Sequence, residues 1–159
     1  MEIFQLPFPI DFIIIAVIFI VAALYALKLG VGRVTALTLS IPVALFAYQL
    51  AFSSAYLGNI LAGLGKDPWI DSAFFVALVI AVYLVIGRLV RGNLMTGEPV
   101  QSVLVGGAFT AMVLMGFHVL PSLAAVWTFA PEIAFFFTPG YHFFILLGTF
   151  AVLFAAYRA

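Results

Sequence analysis

Cysteine is absent from the 159-residue sequence, which excludes disulfides, thiolate metal sites and cysteine nucleophiles together. Charge is scarce as well. Six Lys or Arg and six Asp or Glu cancel to a net charge of zero, and charged residues make up 8% of the chain, against about a quarter in an ordinary soluble domain. With no cluster of Lys and Arg there is no footprint for phosphate, so nucleic acid is not an expected partner. No motif calls for a cofactor. What fills the chain instead is apolar: 67% of its residues are hydrophobic. A folded unit of this size buries only about 70% of its unfolded surface in water, so the surplus needs another solvent, and lipid is the one that fits.

The first apolar run, IDFIIIAVIFIVAALYALKLGVGR, follows MEIFQLPFP, which carries Glu2 and no Lys or Arg. A removable signal peptide needs a positive start and a shorter run, so this stretch is read as a first transmembrane helix over about 11–29. About 20 residues at 1.5 Å each cross a hydrocarbon core of about 30 Å. Four more stretches qualify, over about 34–57, 72–90, 100–120 and 143–157. Between the last two lies an apolar segment, 121–139, that Pro121, Pro131 and Pro139 break into pieces of about nine residues. Pieces that short suit an interfacial or re-entrant segment. The predicted fold class is all-α: one membrane domain over 1–159, a polytopic transmembrane helical bundle of five spans, with four as the nearest alternative.

Cytoplasmic loops hold an excess of Lys and Arg. With the amino terminus outside, Lys28, Arg33, Arg88, Arg91 and Arg158 all face the cytoplasm, and Lys66 alone lies outside. The expected location is the cytoplasmic, or inner, membrane, with the carboxyl terminus in the cytoplasm. This orientation gathers Asp11, Asp71, His118, Glu132 and His142 at the outer face. Two readings stand. One is a divalent metal or proton-responsive cluster of imidazoles and carboxylates. The other is ordinary tolerance: Asp11 and Asp71 favour helix amino termini, and His at an interface snorkels. No HxxxH spacing accompanies them.

On the second span, Thr35, Thr38, Pro42, Gln49, Ser53 and Tyr56 fall at steps of three, four and seven, along one helical face. A polar face is costly against lipid and is expected to turn into the bundle. There it serves either interhelical hydrogen bonds or one wall of a water-filled path. The fourth span places Ser102, Gly106 and Thr110 four apart, and Gly107 and Ala111 likewise. Small residues at that spacing let two helices approach closely, within the chain or between copies. The phenylalanines, Phe135 to Phe137 and Phe143 to Phe144 among them, read as lipid-facing bulk.

Enzymatic signatures are poor. The Gly-rich stretches lack GK[ST], Ser53 and Ser54 lack a GxSxG setting, and neither His follows HExxH. The expectation is a protein that is not an enzyme, partnered by the bilayer and by other membrane subunits or itself.

The opening Asp, the basic glycine-containing turn and the second span, IDFIIIAVIFIVAALYALKLGVGRVTALTLSIPVALFAYQLA, resemble the amino-terminal pattern of the colicin V production protein family. The third span running into GRLVRG and the fourth span's VGGAFTAMVL are similar to that family's later half. The resemblance covers about Ile10 to Leu114. It implies an inner-membrane helical protein serving toxin export or envelope maintenance, with no catalytic residues to carry over. The alternative from another class is a small channel or transporter subunit, using the polar face of span two and the outer histidines and carboxylates.

Overall fold

The computed structural model describes residues 10–54, 59, 68–90, 98–124, 127 and 129–158. Five long helices account for most of them: α1 (Ile10–Leu29), α2 (Val31–Ser53), α3 (Pro68–Val90), α4 (Pro99–Val119) and α5 (Pro139–Arg158). Each contains a stretch long and apolar enough to cross a membrane. No strand occurs among the described residues, and the architecture is an all-α bundle. Helix is the form such runs take in lipid, where every backbone N–H and C=O has to be satisfied within its own segment.

Proline sets most of the helix starts. Pro68, Pro99 and Pro139 are the first residues of α3, α4 and α5, and Pro121 and Pro131 open two short helical turns, Pro121–Ala124 and Pro131–Ala134. At a first helical position the missing N–H has no partner to lose and the fixed φ already suits the helix. Residues expected only as breakers are therefore also starters. The fifth span begins at Pro139 rather than near 143, so Tyr141 and His142 lie inside α5. At the start of α4 the Gln101 side chain also accepts from the Glu98 N–H at 3.3 Å.

Between α1 and α2 stands a single residue, Gly30, with φ 97°, a conformation that L side chains rarely adopt. Its N–H donates to the Ala26 carbonyl at 3.0 Å and its carbonyl accepts from the Arg33 N–H at 3.2 Å. The turn is thus one glycine long, and Arg33, expected in a loop, sits in the first turn of α2.

α4 is the centre of the bundle, packing on α1, α2 and α5, while α2 also packs on α3. Within the apolar stretch of α4, 50% of residues are buried, against 6% in α3. The periphery therefore presents side chains such as Ile20, Leu24, Ile80, Leu84, Phe143 and Phe150 outward. Apolar surface that extensive on every side suits lipid rather than water.

Two cores fill the inside. One, at the end where α1 and α5 are joined to small residues of their neighbours, contains Ala26, Val31, Val34, Val105, Ala108, Leu153 and Ala156. The other, toward the opposite end, combines Ile41, Leu45, Phe75, Met112 and Met115 with Leu120, Ile133 and Phe137 from the segment linking α4 to α5. Phe137 is therefore a core residue, whereas Phe135, Phe136, Phe143 and Phe144 are exposed as expected of lipid-facing side chains. The difference follows from the 3-10 turn Phe135–Phe137, which sends the third ring inward to lie stacked on Phe129, centroids 5.8 Å apart.

α1 and α4 approach each other closely at Gly106. A Cβ built on Gly106 would stand 3.0 Å from the Ala23 backbone nitrogen, whereas one on Gly107 would find its nearest neighbour, a Phe19 ring atom, at 3.8 Å. Ser102, Gly106 and Thr110 lie on the buried side of α4, and the Thr110 hydroxyl donates to the Gly106 carbonyl at 2.8 Å. Ala111, like Gly107, is only partly buried. One small-residue face, not both, makes the close contact, and it meets α1 at Ala23, which is buried together with Ala22 and Ala26.

Candidate functional site at the aspartate end of the bundle

Three side-chain contacts fix which helix ends lie together. The Tyr48 hydroxyl, late in α2, donates to Asp71 Oδ1 in the first turn of α3 at 2.5 Å. Asp11, in the first turn of α1, accepts from Trp127 Nε1 at 2.8 Å and from the Ala130 N–H at 2.6 Å. The His118 ring, at the end of α4, meets the His142 ring near the start of α5 edge-on, with centroids 6.0 Å apart. The starts of α1, α3 and α5 thus share one end with the finishes of α2 and α4, and the helices alternate in direction. Lys28, Arg33 and Arg88 fall at the opposite end, Lys28 and Arg88 in the last turns of their helices, where a cation complements the helix dipole.

At the aspartate end the five residues expected to gather do not form one cluster. Asp11 holds the connecting segment. Asp71 holds Tyr48. His118 and His142 are brought together, and His142 Nε2 donates to the Phe137 carbonyl at 2.6 Å. A carbonyl only accepts, so the proton sits on Nε2. Glu132 is exposed. No group of three or more His, Cys, Asp or Glu among the described residues is placed to hold a metal ion.

The connecting segment closes this end. Leu120, Ser122, Ile133 and Phe137 are buried, and the segment is pinned at two places: by Asp11 through Trp127 and Ala130, and by His142 through Phe137. Trp127 is also held between Phe117 and Phe129, with centroids at 5.7 Å and 4.6 Å. An ionised carboxylate accepting two N–H donors is among the stronger anchors available at a half-wet helix end.

The polar stripe of α2 divides. Thr35 and Thr38 are buried, with the Thr38 hydroxyl donating to the Val34 carbonyl at 2.7 Å. Gln49 and Ser53, expected in the interior, are exposed, and the Ser53 hydroxyl turns back to the Leu50 carbonyl at 2.9 Å. Tyr56 lies outside the described residues. The helical angles were as expected; the reason for the split is that α2 is enclosed over its first half and borders an open groove over its second. Pro42, inside α2, stands at that border. Lacking an N–H, it leaves the Thr38 carbonyl without its helical donor.

That groove, about 500 Å³, runs between α2, α4 and α5. Its polar lining is Gln49, His118 and His142, and its apolar lining includes Leu45, Phe46, Met115 and Leu146. Sequence reasoning singled out the three polar residues but did not join them in one concavity, since they come from three helices. Tyr48, Trp127 and Phe137 were missed as partners. The one signal pointing to them was chemical: an indole N–H or phenol O–H in an apolar segment needs an acceptor. The chain matches no protein-family model, no curated protein and no solved structure.

Proposed function

We propose that this chain is a small, non-enzymatic integral protein of the cytoplasmic membrane, amino-terminal end outside and carboxyl-terminal end in the cytoplasm. It acts as an accessory or assembly component through its helix faces, with itself or other membrane subunits as partners. The orientation is supported by Lys28, Arg33, Arg88 and Arg158 at one end of the bundle, the cytoplasmic end by the excess of basic residues there. The setting suggested by the resemblance to the colicin V production protein family is toxin export or envelope maintenance.

The observation that carries the accessory reading is the sealed half of the bundle. Ser40, Ala44, Ser102, Val105 and Met112 have no exposed surface, so the polar stripe of α2 ends against packed side chains instead of continuing as a path. The ionisable groups at the other end also have structural employment: Asp11, Asp71 and His142 each hold a partner. A second reading, a channel or transporter subunit, is favoured by the groove with Gln49 and His118 in its wall.

Flux measured in vesicles containing the purified chain separates the two. The accessory reading predicts proton and potassium flux no faster than in empty vesicles, and unchanged by Gln49→Leu, His118→Ala or Glu132→Ala. Flux above that baseline, abolished by Gln49→Leu or His118→Ala in protein that still folds, would contradict it.

A further inference from the structure

The groove between α2, α4 and α5 has chemistry that its own walls do not complete. Gln49 and His118 line it, and neither side chain has a hydrogen-bond partner among the described residues. Gln49 is exposed and His118 half-buried close to the helix ends, so both are open to a ligand that meets them at the membrane surface. His142 faces the same space from α5 with its Nε2 proton committed to Phe137, which leaves its other ring nitrogen for a ligand. No Asp or Glu lines the groove, and the nearest acids along the helices, Asp11 and Asp71, are engaged elsewhere. The polar end therefore offers the Gln49 amide and the His118 ring N–H as donors and the His142 Nδ1 as an acceptor for a headgroup hydroxyl, without a carboxylate to repel an anion.

Away from the helix ends the lining turns apolar, through Phe46, Met115 and Leu146. From Gln49 back to Pro42 is seven residues, about 10 Å along the axis at 1.5 Å per residue. The volume of about 500 Å³ lies within the span of about 300–1,000 Å³ typical of small-molecule sites. The groove is also open sideways: α5 packs on α4, and α2 on α3 and α4, with little contact between α2 and α5, and Phe46 at the rim is 64% exposed. A site polar at the membrane surface, apolar below and open to the side matches an amphiphile that arrives from within the bilayer. A free anion would leave its apolar half empty.

The geometry points to a site for one membrane lipid with an anionic headgroup, the headgroup on Gln49, His118 and His142 and the chain along Phe46, Met115 and Leu146. This inference rests on the chain lying in a bilayer and not on its accessory role.

The test uses the full chain in phosphatidylcholine vesicles containing a minor share of photoactivatable phosphatidylglycerol, with adducts mapped on peptides. The expected result is one saturable adduct per chain on the groove residues of α2 and α5. Unlabelled phosphatidylglycerol should compete for it, and glycerol phosphate in the aqueous phase should not. Gln49→Leu with His118→Leu should weaken that competition by about tenfold or more, as loss of hydrogen bonds to a charged group implies. Leu146→Trp, which fills the apolar half and leaves the polar end intact, should do the same. Adducts spread over the outward faces of α1, α3 and α5 without competition would overturn the site, and so would insensitivity to both variants. Equal competition by glycerol phosphate would replace the lipid with a free anion and overturn it as well. Should either variant fail to fold, competition on the unaltered chain decides.

Discussion

Gly106→Leu should destabilise the bundle by about 3 kcal/mol, the upper part of the range for overpacked cores, while Gly107→Ala should leave it unchanged or slightly more stable. The two glycines are neighbours in sequence, and their difference is entirely one of what faces them. At Gly106 even a Cβ would press on the nitrogen, Cα and Cβ of Ala23, at 3.0 to 3.1 Å. Two of these are backbone atoms of a helix, which cannot rotate away as the tip of a flexible side chain can, so α1 has to move. Without a hydrophobic drive between helices in lipid, close packing of this kind is a main source of association. At Gly107 the nearest atom, 3.8 Å away, is in ordinary contact range, and alanine brings a helix-propensity gain of at most about 1 kcal/mol. Thermal unfolding of the detergent-solubilised variants, followed by loss of helix signal, measures both. Equal effects at the two positions would show that α1 and α4 do not meet at Gly106.

Asp11→Ala should release the segment between α4 and α5 while leaving the helices folded. The substitution strands the Trp127 indole N–H and the Ala130 N–H, which the carboxylate holds at 2.8 Å and 2.6 Å. Hydrogen bonds to a charged acceptor contribute about 1.5–3 kcal/mol each; with Asp11 only half-buried, about 2–4 kcal/mol for the pair is the expected loss. Amide exchange at Ala130 should accelerate by roughly 30-fold or more, since each 1.4 kcal/mol is a factor of ten, while amides inside α4 keep their protection. Asp11→Asn, retaining one acceptor oxygen, should fall between. Unchanged exchange at Ala130 would mean that the segment is held by its buried residues Leu120, Ile133 and Phe137 alone.

These two cases also show what kind of information the residue order carried. The five spans were legible because length and hydropathy are local properties, and Gly106 because small residues four apart are a local pattern. Its partner Ala23 was not, since AALYA on α1 reads as ordinary helix until a second helix is laid on it. Helix starts were misread by a few residues where proline served as first residue rather than breaker, as at Pro139. The angular position of Gln49 on α2 was correct, yet its exposure depends on where α2 and α5 separate, a property of the assembled bundle. The Asp11 contact with Trp127 spans 116 positions, and the Tyr48 contact with Asp71 joins two helices. No local pattern encodes either. What the order of residues did carry is the requirement: an Asp at the head of an apolar helix, and an indole in an apolar segment, each in need of a partner.

The absence of native cysteine makes the central claim, a five-span bundle with its aspartate end outside, directly measurable. Single cysteines at Trp69 and Glu132 probe one end, and at Arg33, Glu98 and Tyr157 the other; all five positions are exposed. Labelled in whole cells with a membrane-impermeant thiol reagent, Trp69→Cys and Glu132→Cys should react, and Arg33→Cys, Glu98→Cys and Tyr157→Cys should react only after the cells are broken. Labelling of Tyr157→Cys from outside, or of Arg33→Cys and Glu98→Cys in place of the other two, would contradict the orientation and with it the proposed placement of the groove at the outer surface.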